Sequence, residues 1–228
     1  MENFLEGEVL IFNKPLRWTS FDLVGKVRWL IRNKYNLAKI KVGHAGTLDP
    51  LATGLMILCT GKATKQIDSF TGQDKEYVAG ILLGKTTPSY DLEKEFDAEY
   101  PTDHITAERI EEVLKSFLGE NDQIPPIFSA KMIDGKRAYE LARQGKEVEM
   151  KPSRITITEI ELLKVAMPEI TIRVRCSKGT YIRSLVRDVG QKLDSGATLI
   201  SLERTAIGNY TLNNAISIEE FENKLALL

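Results

Sequence analysis

Gly43-His44-Ala45-Gly46-Thr47-Leu48-Asp49-Pro50-Leu51-Ala52-Thr53-Gly54 places one carboxylate on a glycine-punctuated loop between two apolar segments. Gly43, Gly46 and Gly54 permit positive φ or close backbone approach, and Pro50 restricts the chain just after Asp49 while removing a donor. Asp49 is therefore expected to be held with little mobility. Loops carried on rigid scaffolds are where catalytic groups concentrate. On residue types alone a second account stands beside this one, in which Asp49 only satisfies nearby backbone amides, as aspartates do in many turns.

Working outward, residues 9 to 12 read as a short strand. Thr19 or Ser20 then caps a helix whose apolar Leu23, Val24, Val27, Leu30 and Ile31 share one face, with Lys26, Arg28 and Arg32 outward. After the loop, residues 55 to 60 are a continuous apolar run consistent with a buried strand closed by Gly61, and residues 77 to 83 read as another. Residues 106 to 118 carry Ile110, Val113, Leu114, Phe117 and Leu118 at helical spacing, with Gly119 as the stop. Ile170, Ile172, Val174 and Cys176 alternate with Thr171, Arg173 and Arg175, a period of two that predicts a half-buried strand in an antiparallel sheet. Ile182, Leu185, Val186, Val189 and Leu193 form a further helix stripe, with Arg183 at the strand-to-helix junction. Residues from about 123 to 150 read as an insertion or flap, with a Pro-Pro turn, a turn at Asp134-Gly135 and a short helix over 138 to 143. A last helix is expected over 217 to 225.

At 228 residues and 43% apolar composition, the chain suits one domain, or a domain with an insertion, around a substantial core. No apolar run reaches membrane-spanning length, and the acidic start at Glu2, Glu6 and Glu8 is unlike a secretory leader, so a cytoplasmic protein with no membrane contact is expected. Cys59 and Cys176 lack paired spacing and predict buried thiols. With His44 and His104 the only histidines, neither a His-based metal cluster nor a triad offering a choice of histidines is available, and no metal is expected. Thr60-Gly61-Lys62-Ala63 hints at a phosphate loop, but Met56 stands where its first glycine belongs and Ala63 where its metal-binding hydroxyl belongs.

The net charge of -1 hides segregation. Residues 13 to 65 hold ten Lys or Arg against Asp22 and Asp49, whereas residues 91 to 122 hold eleven acids against three bases. The basic stretch leads directly into the Asp49 loop and could draw phosphates there, although a solvated helix face would look the same.

The Asp49 loop closely resembles the G-H-x-G-T-L-D-P-x-A-x-G motif of the TruB family of tRNA pseudouridine synthases at every fixed position. Lys14-Pro15 with Thr19-Ser20, Lys75-Glu76-Tyr77, the block from Gln123 through Pro125-Pro126 to Lys131, and Cys176-Ser177-Lys178-Gly179-Thr180-Tyr181-Ile182-Arg183 look like further family blocks in the family's order. The resemblance implies a mixed α/β pseudouridine synthase fold, with a largely antiparallel central sheet and flanking helices. It implies Asp49 as nucleophile, Arg183 as its ionic partner and Tyr77 as the platform for the target uracil. A planar, permanently charged guanidinium suits the second role, since it keeps a carboxylate ionised and orients it through two hydrogen bonds.

His44, Tyr181, Leu202, Lys14 and Lys131 are the implied substrate-binding residues. The implied substrate is uridine 55 in the T loop of tRNA, flipped out of its stack and isomerised without a cofactor by a monomer. The insertion, with Lys131, Lys136, Arg137, Arg143 and Lys146, is a candidate for closing over the RNA.

Departures exist. Arg17 occupies a usual glycine, Glu203 a usual arginine, and Thr86-Thr87-Pro88-Ser89-Tyr90-Asp91 follows the family's T-D-T-x-D only loosely. Longer members continue into a PUA module that is not expected here. Two rival classes stand beside this reading: an RNA-binding or RNA-folding protein that uses the same surface without needing Asp49, and a hydrolase, a nucleosidase or glycosidase, with Asp49 as nucleophile. The hydrolase would usually need a second positioned carboxylate, which none of the matched blocks supplies.

Overall fold

A computed structural model describes residues 3–129, 131–133, 135–138 and 150–227. The chain forms two compact units: Met1–Tyr77 together with Leu202–Leu228, and Val78–Ser201.

The first unit starts with β1 (Val9–Lys14), which runs two residues past its apolar run. Helix α1 (Ser20–Tyr35) follows, and Thr19 is its cap. The Thr19 hydroxyl accepts from the Asp22 amide while the Asp22 carboxylate accepts from the Thr19 amide, a reciprocal capping box. β2 (Val42–His44) and β3 (Ala52–Thr60) flank the Asp49 loop. A 3₁₀ turn and α2 (Ile67–Thr71) lead to β4 (Lys75–Leu83), and after the second unit the chain returns through β12 (Ala197–Ile207), β13 (Tyr210–Thr211) and α5 (Ile218–Leu227).

The hydrogen-bonded order in this unit is β1-β3-β12, with β2 also on β3 and β13 also on β12. β3 lies antiparallel to β1 and parallel to β12, and residues 54 to 60 of β3 are all buried. A strand covered on both faces reads as a continuous apolar run, which is how residues 55 to 60 read. Leu55, Ile57 and Cys59 pack with Ala45, Phe70 and Ile207. Elsewhere Phe12 meets Phe221 of α5 edge-to-face, their ring centroids 5.2 Å apart, and α1 packs beside α5 with Leu23, Val24, Val27 and Ile31 buried.

The second unit contains β5 (Lys85–Thr86), β6 (Ala98–Glu99), α3 (Ala107–Lys115), β7 (Gly119–Gln123), β8 (Met132–Ile133), β9 (Lys136–Arg137), β10 (Ser153–Ala166), β11 (Glu169–Cys176) and α4 (Ile182–Lys192). Its main order is β12-β4-β11-β10-β7. β11 buries Ile170, Ile172, Val174 and Cys176, as its period of two requires, and pairs antiparallel with β10. β10 is missed by the sequence reading because from Thr158 onward none of its residues is buried, and Glu159 and Glu161 interrupt its apolar pattern and pair with Arg175 and Arg173 of β11. Leu118 departs from expectation: α3 ends at Lys115, so Leu118 falls in the turn and lies exposed while Phe117 stays buried. Cys59 and Cys176 are buried free thiols. The predicted helix over 138 to 143 falls mostly outside the described residues, as do Arg143 and Lys146, and Asp134 of the predicted turn lies outside them too. Among the described residues no helix is long and apolar enough to cross a membrane.

Candidate active site

The Asp49 loop is fastened on every side by groups from its own unit. The amide of Leu48 donates to the Ser20 hydroxyl (2.9 Å), and that hydroxyl donates back to the Leu48 carbonyl (3.1 Å). Ala52 N–H closes a turn onto the Asp49 carbonyl at 3.0 Å, and Arg17 N–H donates to the Pro50 carbonyl at 2.7 Å. Arg17 does so at φ 67, which explains why a glycine is usual at its position: the geometry lies in the left-handed region. Leu202 on β12 stands opposite Ala52, three residues after Asp49.

Arg204 is the residue the sequence reading missed. Only 1% exposed, its guanidinium donates from Nε to the Leu55 carbonyl (2.8 Å), from Nη2 to the Gly46 carbonyl (3.2 Å) and from Nη1 to the Thr47 carbonyl (3.4 Å). One planar fork therefore joins both arms of the loop around Asp49. Gly54 makes this possible: at φ 103 it lies against the Arg204 backbone, where any Cβ would overlap the Arg204 carbonyl oxygen.

Lys14 lies inside this unit, with no exposed surface, donating to the carbonyls of Trp18 (2.6 Å) and Pro15 (2.9 Å). Burial pushes its ammonium down from 10.5 to about 8, opposed by the negative charge of Asp49 and assisted by the positive charge of Arg204. It is thus a cation whose field acts on Asp49. Burial, followed by the Arg204 charge, also lowers the pKa of His44, while the Gly46 backbone pulls the other way. His44 is therefore neutral near pH 7. Its buried Nδ1 makes no hydrogen bond among the described residues, and its ring meets Phe21 edge-on at 5.8 Å. Tyr77 is buried on β4.

In the second unit, Arg183 sits in the first turn of α4, 5% exposed. It donates from Nη2 to the Phe128 carbonyl (3.0 Å) and from Nη1 to the Ser89 carbonyl (3.4 Å), while Nε stands 3.6 Å from Asp91. Asp91, which matched its family pattern only loosely, is thus in place beside the arginine. Gln123 brackets Tyr181 by accepting from its amide (2.9 Å) and donating to its carbonyl (3.1 Å), and Ser184 donates to the Ile124 carbonyl at 2.8 Å. These bonds tie the Pro-Pro block to the block ending at Arg183. Lys131 donates to Ser153 Oγ (2.7 Å) and to the Lys151 carbonyl (3.2 Å), anchoring the base of the insertion. Among the described residues no group of three or more His, Cys, Asp or Glu is placed to hold a metal ion.

Residues 32–182 match the family model described as TruB family pseudouridylate synthase, N-terminal domain. The chain is 62% identical over 223 residues to a tRNA pseudouridine synthase B of Parabacteroides distasonis, covering 98% of this chain and 95% of that protein. It is 54% identical to one of Flavobacterium johnsoniae, covering 98% of each. Among solved structures it is similar to a chain of a Cbf5-Nop10-Gar1 complex, with a TM-score of 0.71 and 27% identity, covering 96% of this chain and 54% of that one. The chain thus spans about half the length of that structural neighbour. A motif loop held rigid around one aspartate and a family match over most of the chain agree: this protein belongs to the TruB family of pseudouridylate synthases, isomerases that convert uridine to pseudouridine.

Proposed function

We propose that the protein isomerises uridine 55 in the T loop of tRNA, with Asp49 as nucleophile, Arg183 as its guanidinium partner and Tyr77 as the platform for the flipped uracil. The observation that carries this reading is the fastening of the Asp49 loop by Ser20 and Arg204. It leaves one carboxylate with little freedom, as nucleophilic attack on a bound nucleotide requires. Lys14 and Arg204 keep positive charge close by, which favours the ionised, nucleophilic form.

In the reaction the bond from uracil N1 to ribose C1′ breaks and a bond from C5 to C1′ forms. The C5 proton is lost and N1 ends protonated, so the change balances without oxidant or group donor. Asp49 can act at C1′ or at C6, and both routes end with the carboxylate released. The detached uracil must turn over while shielded from water, and Leu202 beside the loop is apolar cover suited to that task. Neutral His44 fits stacking against RNA better than a charged imidazolium would fit phosphate, and Tyr181 lies near Arg183 in sequence at the cap of α4. Lys14, without exposed surface, would act on the substrate only through Asp49. Lys131 and the insertion it anchors are the proposed cover for the RNA.

The test is release of the C5 hydrogen from C5-tritiated uridine in an unmodified tRNA transcript, with the product position mapped, for the native chain and Asp49→Asn. Release at position 55 by the native chain alone is expected. Binding by both proteins without release by either would make the chain a tRNA-binding or tRNA-folding factor.

A further inference from the structure

Helix α1 carries a glycine that its own packing does not explain. Gly25 lies mid-helix, where glycine weakens a helix relative to alanine, yet a Cβ built there would meet nothing within 4 Å. It is also absent from the positive-φ glycines. Neither the core nor the backbone requires it.

At 3.6 residues per turn, Phe21, Gly25, Arg28, Trp29 and Arg32 fall within one exposed stripe about 100° wide, beside the face that buries Leu23, Val24, Val27 and Ile31. Phe21 is 66% exposed and Trp29 57% exposed. Arg28 donates to the Val42 carbonyl (3.1 Å) and Arg32 to the Leu37 carbonyl (3.2 Å), bonds that orient each guanidinium without neutralising it. Lys26 adds charge over the Trp29 ring at 5.2 Å, although it also pairs with Glu222. One end of the stripe touches the motif loop, through the edge contact of Phe21 with His44.

Exposed aromatic faces alternating with arginines are what a single strand of nucleic acid is held by: bases stack on rings and phosphates meet guanidinium groups. A missing side chain between them gives the sugar-phosphate backbone room to approach. We propose that the outer stripe of α1 is an RNA track, on which the substrate strand, leaving the Asp49 loop at His44, runs past Phe21, over the notch at Gly25, to Trp29 and Arg32. This rests on the reading of the chain as a tRNA-modifying enzyme and names where that RNA goes.

Gly25→Glu tests the track without endangering the fold, since glutamate is a better helix former than glycine and has open space there. Melting temperature, tRNA affinity at low and high salt, and tritium release are measured for the native chain, Gly25→Ala and Gly25→Glu. Gly25→Glu should melt no lower than the native chain yet bind tRNA about fivefold more weakly or worse at low salt, with the gap to Gly25→Ala narrowing as salt rises. Trp29→Ala, which removes an exposed ring, should weaken binding by about tenfold and be partly rescued by Trp29→Tyr. Native-like affinity in both Gly25→Glu and Trp29→Ala would overturn the track while leaving the enzyme reading intact if the native chain releases tritium. A native chain that does not bind tRNA would overturn both.

Discussion

Ser20 and Leu48 are joined by two hydrogen bonds through a single hydroxyl. Ser20 Oγ accepts the Leu48 amide at 2.9 Å and donates to the Leu48 carbonyl at 3.1 Å, with both residues buried. The first residue of α1 thereby satisfies both backbone groups of the residue before Asp49. The capping box of Thr19 and Asp22 fixes where α1 begins, and the start of α1 fixes the loop.

Ser20→Ala should therefore leave a buried donor and a buried acceptor unmatched. The expected cost is about 1–3 kcal/mol of stability. A drop in the urea midpoint with tritium release slowed more than tRNA binding would match this, whereas an unchanged midpoint would show that water replaces the hydroxyl.

Gly54→Ala should be more severe. The position combines φ 103 with backbone contact to Arg204, so an added methyl cannot be placed without shifting either β3 or β12. Strain of this kind is expected to cost about 3 kcal/mol or more. Urea unfolding at constant m-value gives the number, and a loss below about 1 kcal/mol would contradict the close contact.

Arg204→Lys keeps the charge but loses the planar fork, so an ammonium cannot serve the Gly46, Thr47 and Leu55 carbonyls together. A loss of about 1.5–3 kcal/mol is expected, with a lower turnover at saturating tRNA. Wild-type turnover in a stably folded Arg204→Lys would separate the fork from the positioning of Asp49.

Lys14 makes stability depend on pH in a stated direction. Its folded pKa, about 8, lies below the ordinary 10.5, so below pH 8 both states hold the proton and the folded state bears the full cost of a buried charge. Between the two values the unfolded chain binds the proton that the folded chain has released, and stability rises with pH. Relative to Lys14→Met, the native chain should gain about 3 kcal/mol across that window. A difference between the two proteins that stays flat from pH 7 to pH 10 would refute the assignment.

Cys59 should resist modification. Burial pushes its thiol up to about 11, and neither Cys59 nor Cys176 has exposed surface. At pH 8 a disulfide reagent should label neither thiol in the native protein and both in denaturant. Rapid labelling of either in the folded state would show that the surrounding strands open locally.

Much of this protein was readable along the line of the chain. The Asp49 loop, the helical face of Leu23, Val24, Val27 and Ile31, the buried run in β3 and the alternation in β11 are local periodicities and turn chemistries, each set by residues within a few positions. Ordered motif blocks carried the family. What remained hidden was which charges go inside. Arg204 reads as one more arginine, and its importance lies in carbonyls about 150 positions away in sequence. Asp91 matched a loose pattern, and only folding sets it beside Arg183, 92 positions further on. Lys14 looks like a phosphate ligand until β1 and the turn after it close around its ammonium. Periodicity records which side of an element is apolar. The partner of a buried charge is chosen by packing between distant segments, because an ion leaves water only where carbonyls or counter-charges from elsewhere in the chain can replace it.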